Sequence, residues 1–152
     1  MQICNLKEVP QHIETLASWH QQEWHHLNPG QTLAMRIQKM QKYLNKDFVP
    51  STFVALDKNI MGSAAIVDQD MDERSEFSPW LASVYVEPAY RCKGIGTALV
   101  NHVVEQAKLK GYRELFLYTP DKDKFYQQRG WHCLERTAYH GHDVSIMVYH
   151  YS

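Results

Sequence analysis

The sequence has 152 residues, of which 44% are hydrophobic and 22% are charged, so its composition is that of a folded chain and excludes a disordered one. This length suits one domain, which we expect to cover residues 1–152. The formal net charge of −1 gives no electrostatic support for a nucleic-acid partner.

The cysteines Cys4, Cys92 and Cys133 are odd in number and lie far apart in the chain. Such a set argues against a disulfide framework and favours a reducing compartment. No apolar run approaches the ~20 residues that a transmembrane helix needs, and the first residues lack the pattern of a signal peptide. We therefore expect a cytoplasmic protein that does not enter a membrane.

The first third of the chain is predicted to form one strand and two helices. Residues 3–6 have the character of a short strand, and apolar residues at helical spacing follow from Pro10 to Leu27. Thr32 is a suitable N-cap for the second helix. The predicted buried face of this helix consists of Leu33, Ile37, Met40 and Leu44.

From residue 51 the hydrophobic period changes to that of strands. Strands are predicted over 51–56 and 60–67, on either side of a hairpin turn at 57–59. A polar, acidic loop over 68–78 then leads to a buried strand over 79–86.

The second half of the chain alternates between the two periods. A long helix is predicted over 94–110, a short strand over 114–118 and a short helix over 122–129. Two strands complete the chain, over 131–139 and 143–150. The order β-α-α-β-β-β-α-β-α-β-β predicts an α/β (α+β) single domain, in which a mixed sheet carries helices on both faces.

The junction between the third of the central strands and the long helix carries the clearest functional signal. The strand ends at Val84-Tyr85-Val86, and the helix begins at two glycines within the segment Arg91-Cys92-Lys93-Gly94-Ile95-Gly96. The first backbone N–H groups of a helix lack intrahelical partners and carry partial positive charge. Glycines allow a ligand to approach closely, and Arg91 and Lys93 add charge, so the segment suits a phosphate or pyrophosphate.

Other interpretations of the two glycines are weaker. The glycines could simply permit close packing of the helix start. A dinucleotide-binding fingerprint needs Gly or Ala where this chain has Leu99, and an acidic residue at the end of the next strand, where Glu114 instead stands at the beginning. A Walker loop needs Gly-Lys-Ser/Thr, which does not follow.

Arg91-x-x-Gly94-x-Gly96 after Val84-Tyr85-Val86 resembles the acetyl-CoA motif of the GCN5-related N-acetyltransferase superfamily, which is Gln/Arg-x-x-Gly-x-Gly/Ala. Further along the chain, Phe125-Tyr126 followed by Gly130-Trp131 resembles the family's second motif, an aromatic residue and Tyr followed by Gly-Phe or Gly-Trp. The order of the predicted elements is similar to the family fold over nearly the whole chain. The resemblance implies an acetyl-CoA-dependent N-acetyltransferase.

The resemblance also implies how acetyl-CoA is held. Backbone N–H groups from Cys92 to Thr97 would bind the pyrophosphate, and the preceding strand would carry a bulge and splay from its neighbour. Backbone groups near Val84 and Val86 would pair with the pantetheine arm, and one N–H could polarise the thioester carbonyl. The expected coenzyme-binding residues are Val84, Tyr85, Val86, Arg91, Cys92, Lys93, Gly94, Ile95, Gly96, Thr97, Thr119 and Tyr126.

By the same resemblance, Tyr126 is the expected catalytic residue, a general acid that donates to the departing thiolate. The alternative is an aromatic residue that merely packs on the sheet. Many family members place the general base on the central strand, but residues 80–83 include no acid. The candidates for the base are then Glu76, Asp72, Asp70 or a water chain that ends at a histidine.

Two further positions depart from the family pattern. Cys92 replaces the usual glycine, so we expect no positive φ there. A thiol beside a helix start and two cations could also have a lowered pKa and form a mixed disulfide with coenzyme A. Thr119 replaces an Asn that touches the coenzyme in many relatives, which leaves that contact open.

The expected acceptor is a primary amine of a small molecule or of a peptide. In the family fold its pocket would involve Trp24, His25, His26, Trp80 and the loop 68–76, although both tryptophans could instead be core residues. The histidines lack metal-ligand spacing, so we expect no metal site. Relatives are often dimers, and a homodimer is one possibility. The main alternative function is a module of this fold that binds acyl-CoA without catalysis.

Overall fold

The computed structural model describes residues 1–151 and is built around one mixed sheet. The strands are β1 (Gln2–Asn5), β2 (Ser51–Leu56), β3 (Ile60–Val67), β4 (Trp80–Val86), β5 (Glu114–Thr119), β6 (His132–Tyr139) and β7 (His142–His150). The helices are α1 (Ile13–Trp24), α2 (Leu33–Gln41), α3 (Ile95–Leu109) and α4 (Asp123–Gln127). The predicted α/β order is confirmed, with short 3₁₀ turns, such as Pro10–His12 and His25–Leu27, at several helix ends.

The seven strands lie in the order β1-β2-β3-β4-β5-β7-β6. All neighbouring pairs are antiparallel except β4 and β5, which run parallel. The parallel pair requires a crossover, and α3 supplies it. The sheet therefore consists of two antiparallel halves that meet at the boundary between β4 and β5.

Helices cover both faces of the sheet, which explains the unbroken burial of β3. Ala64 and Ile66 point to the face that packs against α3, whereas Ala65 and Val67 belong to a cluster on the opposite face with Trp80 and other aromatic residues. A third cluster joins α1 and α2 to the first strands. These layers bury the middle of the sheet between helices on its two faces.

The start of α2 is as predicted, and of its predicted buried face Met40 is buried while Ile37 and Leu44 pack partly buried against the same cluster. Thr32 Oγ1 accepts a hydrogen bond of 3.2 Å from the backbone N–H of Met35, as an N-cap should. The expected core residue Leu33 is exposed, and the buried residues of this helix are Arg36 and Met40. A charged side chain replaces an apolar one on the buried face because it finds polar partners inside the protein.

Strand β4 is irregular in a way that shapes the site. Ala82 pairs with Ala65 and Tyr85 pairs with Ser63, so two residues of β4, Ser83 and Val84, stand opposite a single residue of β3. This is a β-bulge, and its first residue, Ser83, has a positive φ of 53°.

On its other side β4 pairs with β5 only at Trp80 and Phe116. Beyond this pair the two strands diverge, and within residues 1–151 no strand pairs with this edge of β4 from Leu81 to Val86. Both the bulge and the splay that the resemblance implied are therefore present. Together they open a cleft in the middle of the sheet.

Candidate active site

The loop between β4 and α3 turns through two left-handed residues. Cys92 has a φ of 63° and Gly94 a φ of 80°. The expectation that Cys92 needs no positive φ was wrong: this turn requires left-handed backbone at that position even though the residue carries a Cβ. Adopting that conformation costs a non-glycine residue about 1–2 kcal/mol, so the surrounding turn must hold it in place.

The start of α3 presents unpaired backbone N–H groups beside this loop. The first helical bond runs from the N–H of Ala98 to the carbonyl of Gly94 at 3.0 Å. The amides of Ile95, Gly96 and Thr97 therefore have no carbonyl within the helix to pair with. Their partial positive charge suits an anion.

The two glycines leave space in front of those amides. A Cβ at Gly94 would meet nothing within 4 Å, and one at Gly96 would meet only Val86 Cγ2, at 3.6 Å. Gly94 therefore borders open space, and Gly96 faces the end of β4. The helix start with its unpaired amides and the open edge of β4 therefore lie next to each other.

Arg91 connects the loop to β4. Its Nε donates a hydrogen bond of 2.8 Å to the carbonyl of Val86, and its guanidinium carbon lies 5.5 Å from the ring centroid of Tyr85. Glu23 Oε2 is 3.9 Å from the same guanidinium group. Lys93, whose Nζ lies 6.0 Å from the ring centroid of Tyr90, is exposed. Arg91 thus fixes the loop against the strand and keeps a positive charge there.

Tyr126 lies on α4 and is buried in the same core cluster as Ile95 and Leu99 of α3. Its ring centroid is 5.9 Å from that of Trp131. Burial raises the pKa of Tyr126 to about 12, although the charge of Arg129 acts in the opposite direction. The phenol is therefore fully protonated at neutral pH and can donate a hydrogen bond.

Arg129 ties α4 to the first turn of α3, a role that no pattern in the sequence indicated. Its Nε and Nη2 donate hydrogen bonds of 3.0 and 2.6 Å to Thr97 Oγ1, and its Nη1 donates one of 2.6 Å to the carbonyl of Phe125. The guanidinium carbon also lies 3.7 Å from the Phe125 ring centroid. The helix that carries Tyr126 and the helix start with the free amides are thus held together.

Thr119 occupies the buried end of β5. Its Oγ1 accepts hydrogen bonds from the backbone N–H groups of Lys122 at 3.0 Å and Asp121 at 3.4 Å. These bonds shape the turn that leads into α4. In this structure Thr119 positions the turn before Tyr126, and its expected contact with the coenzyme stays a prediction.

The three carboxylates considered for the general base lie in different environments. Asp72 is exposed, and Glu76 is exposed with a carboxylate oxygen 3.9 Å from Arg74 Nη1. Asp70 is half-buried, and desolvation raises its pKa to about 6, although the charges of Lys39 and Arg36 oppose the rise. The raised pKa of Asp70 is close to the value that suits a base at neutral pH.

A cavity lies between the end of α1 and the hairpin of β6 and β7. Its walls are Leu27, Asn28, Tyr118, Pro120, Tyr139, His140, His142 and Val144. Of the side chains expected to line an acceptor pocket, His26 lies nearby, with its ring centroid 6.0 Å from that of His142. Trp80 does not line it, because its side chain is fully buried and its indole N–H donates to the carbonyl of Phe77 at 2.7 Å. Trp24 instead packs against Tyr85, with the two ring centroids 6.0 Å apart.

The fold and the loop together define an α/β domain in which a helix start with unpaired backbone amides adjoins the open edge of a split sheet. A family model described as the acetyltransferase (GNAT) family matches residues 13–131. The chain therefore belongs to the GNAT acetyltransferase family, and the resemblance seen in the two motifs is confirmed.

Individual relatives are more distant. An amino-acid acetyltransferase of Aeromonas salmonicida (strain A449) is 28% identical over 109 residues, which make up 72% of this chain and 24% of that protein. The chain thus spans about a quarter of the length of this curated relative. Among residues 1–151, no helix combines the length and the apolar character that crossing a membrane requires.

Solved structures of the family have the same fold. A ribosomal-protein-alanine N-acetyltransferase from Brucella melitensis superposes with a TM-score of 0.78 at 18% identity, covering 99% of this chain and 100% of that one. An aminoglycoside 6'-N-acetyltransferase complexed with coenzyme A has a TM-score of 0.78 at 16% identity, with coverage of 99% and 97%. The similarity extends over the whole sheet and its helices.

Proposed function

We propose that the protein is an N-acetyltransferase that moves acetyl from acetyl-CoA to a primary amine of a small molecule or peptide, by direct attack within a ternary complex. The observation that carries this proposal is the adjacency of two features: the unpaired amides at the start of α3 and the open, bulged edge of β4. A ligand with a pyrophosphate at one end and an amide-containing arm at the other suits both.

Acetyl-CoA has those two parts, and the residues present fit it. The pyrophosphate would be bound by backbone N–H groups from Cys92 to Thr97, where Gly94 leaves open space. The pantetheine arm would pair with the free edge of β4 near Val84 and Val86, in the place where β5 has diverged. The bound molecule supplies an activated acetyl group as a thioester.

Tyr126 would stabilise the thiolate that leaves when the amine attacks. A thiol has an ordinary pKa of about 8.5, well below the value of about 12 for this phenol. The phenol therefore keeps its proton and stabilises the thiolate mainly by donating a hydrogen bond to it. Since Arg129 joins α4 to α3, the same contact sets the position of Tyr126 relative to the coenzyme loop.

Asp70 would accept the proton of the attacking ammonium group. Its carboxylate is partly shielded from water and has a pKa of about 6, so at neutral pH it is ionised yet more basic than an exposed aspartate. Asp72 and Glu76 are exposed, and Glu76 Oε2 lies 3.9 Å from Arg74 Nη1, so neither carboxylate is shielded from water in this way. The amine would enter through the cavity lined by Tyr118 and Tyr139, two tyrosines whose pKa values are raised by burial and also by the charge of Asp70.

Thermal-shift measurements with acetyl-CoA, longer acyl-CoAs and NAD test the choice of coenzyme, and a thiol-release screen across amines tests catalysis. We expect stabilisation by acetyl-CoA and none by NAD, followed by thiol release with at least one class of amine. Stabilisation without thiol release from any amine would instead support an acyl-CoA-binding module without catalytic activity. Stabilisation by NAD alone would reject both functions.

A further inference from the structure

A buried polar network lies beneath the bulge of β4, outside the groups that the proposed chemistry uses. Arg36 of α2 and His20 of α1 are 8% and 2% exposed. Arg36 Nη2 lies 2.7 Å from His20 Nδ1 and 3.0 Å from Ser83 Oγ. His20 Nε2 lies 2.8 Å from Ser63 Oγ, which in turn lies 3.2 Å from the carbonyl oxygen of Ser83. The four side chains form a closed ring around one residue of the bulge.

The direction of every hydrogen bond in this ring follows from the guanidinium group. Arg36 can only donate, so His20 Nδ1 must accept and the proton of the imidazole must sit on Nε2. Nε2 then donates to Ser63 Oγ, and the Ser63 hydroxyl donates to the carbonyl of Ser83. The ring is thus complete only with a neutral His20. Burial, and secondarily the charge of Arg36, lower the pKa of His20 well below its ordinary range, which agrees with that form.

The residue at the centre of the ring is strained. Ser83 has a φ of 53°, a left-handed conformation that is costly for any residue with a Cβ. It is held at two points, because its hydroxyl accepts from Arg36 and its carbonyl accepts from Ser63. The neighbouring residue, Val84, lies on the edge of β4 that has no strand beside it.

Stability by itself does not explain why the protein contains this buried network. Arg36 Nε is buried and has no hydrogen-bond partner within residues 1–151, which is unfavourable for a polar atom. An apolar side chain of similar length would fill the space without removing a charge from water, and such replacements of buried charged groups are often neutral or stabilising. What an apolar side chain could not do is hold the hydroxyl of Ser83.

We propose that Arg36 and His20 are positioning residues for acetyl transfer, which hold Ser83 in its left-handed conformation and so fix the backbone of Val84 where the thioester lies. This inference rests on the proposed function, since it gives the edge of β4 a role in the reaction. Neither residue contacts the reacting atoms in this account. They act through the backbone of the bulge.

The test compares Arg36→Met, Arg36→Lys and the double variant Arg36→Met with Ser83→Gly. We expect Arg36→Met to lower kcat about 10- to 100-fold, the cost of a small misplacement of reacting groups, while calorimetry gives a Kd for coenzyme A within about threefold of wild type. Arg36→Lys keeps a donor and should retain most of the activity. Ser83→Gly should restore at least about tenfold of the lost kcat in the Arg36→Met background, because glycine adopts a positive φ without being held.

An unchanged kcat in Arg36→Met, or a double variant as slow as Arg36→Met, would overturn the inference. If Arg36→Met does not fold, the pair Ser83→Ala and Ser83→Gly decides: alanine keeps the strain and loses the hydroxyl, so its kcat should fall at least about tenfold below that of the glycine variant. Equal rates would overturn the inference.

Failure of the proposed function has a different signature. If the wild type released no thiol from acetyl-CoA with any amine, the acetyltransferase proposal and the positioning role would both fall. Thermal unfolding would still test whether the left-handed conformation of Ser83 is strained. Ser83→Ala should then unfold at a lower temperature than Ser83→Gly. Equal midpoints would contradict strain at this residue.

Discussion

Arg129 reaches from the end of α4 to Thr97, and two of its guanidinium nitrogens donate to the Thr97 hydroxyl, at 3.0 and 2.6 Å. This contact joins the helix that carries Tyr126 to the helix start that faces the cleft. Hydrogen bonds from a charged group are worth about 1.5–3 kcal/mol when the geometry is good. This contact therefore adds to the core packing that holds the phenol in place relative to the loop between β4 and α3.

Arg129→Met should separate the two helices without removing apolar packing. We expect the free energy of unfolding to fall by about 1–3 kcal/mol and the Kd for coenzyme A to rise several-fold, since the first turn of α3 loses its brace. Arg113→Met is a matched control, because Arg113 is exposed and lies outside the site. Denaturant unfolding and calorimetry measure both quantities. Equal behaviour of the two variants would show that the contact with Thr97 has no role.

Tyr126→Phe removes the hydroxyl and keeps the ring in its place in the core. If the phenol stabilises the leaving thiolate by a hydrogen bond, kcat should fall roughly 10²–10³-fold, while the Kd for coenzyme A changes little. Tyr112→Phe provides a control, since Tyr112 packs near Phe48, away from the cleft, with ring centroids 6.1 Å apart. A turnover rate of Tyr126→Phe equal to that of the wild type would reject the role.

If Asp70 is the general base, the activity should depend on pH through the ionisation of its carboxyl group. As a base with a pKa of about 6 it is protonated and inactive in acid, so kcat/KM should rise with pH and reach half of its plateau near pH 6. Asp70→Asn should abolish most of the activity, whereas Asp72→Asn, an exposed neighbour, should not. A profile that stays flat from pH 5 to pH 8 would exclude Asp70 as the base.

Replacing Asp70 with a neutral residue should raise the free energy of unfolding at neutral and higher pH. In the folded protein the pKa of Asp70 is about 6, compared with an ordinary value of 3.8, so the folded protein binds the proton more tightly than the unfolded chain. The stabilisation from that proton is present below pH 4 and is lost as pH rises through 6. Asp70→Asn should therefore be more stable than wild type at pH 8, by on the order of 2 kcal/mol, and the gap should shrink at pH 4. Urea unfolding at both pH values measures it, and a less stable variant at pH 8 would contradict the desolvated site.

Cys92 allows a test of the backbone of the coenzyme loop. With a φ of 63° it adopts a conformation that glycine accepts freely and β-branched residues resist. Cys92→Gly should bind coenzyme A as tightly as the wild type, whereas Cys92→Val should lose affinity about tenfold, equivalent to ~1.4 kcal/mol of strain. Titration calorimetry on the two variants compares them directly. Equal affinities would mean that the loop does not keep this conformation when the ligand binds.

Patterns within short stretches of the sequence predicted much of the fold. The bounds of β2 and β3 agree with the prediction because both strands are apolar runs that flank a clear turn. Glycine placement similarly located the start of α3. The resemblance supplied the bulge and the splay of β4, which no local pattern in the chain would have indicated.

Long-range contacts explain what could not be predicted. The partners of Arg36 lie 16 and 47 residues away in the chain. Helical spacing could not reveal them, so the prediction buried Leu33 and left Arg36 out of the core. Arg129 contacts Thr97 from 32 residues away, and an arginine before a glycine at a helix end looks like an ordinary surface residue. The polar groups that position the site pair only in the folded protein, and a single sequence does not show which of them will meet.

In the proposed complex, one ligand occupies both the free edge of β4 and the start of α3. Hydrogen exchange of individual backbone amides, followed by NMR with and without coenzyme A, tests it most directly. We predict slower exchange for amides of Val84 and Val86 and for those from Cys92 to Thr97, with little change along β1 and β2. Protection confined to another surface, or none at all in the presence of saturating coenzyme A, would contradict the account.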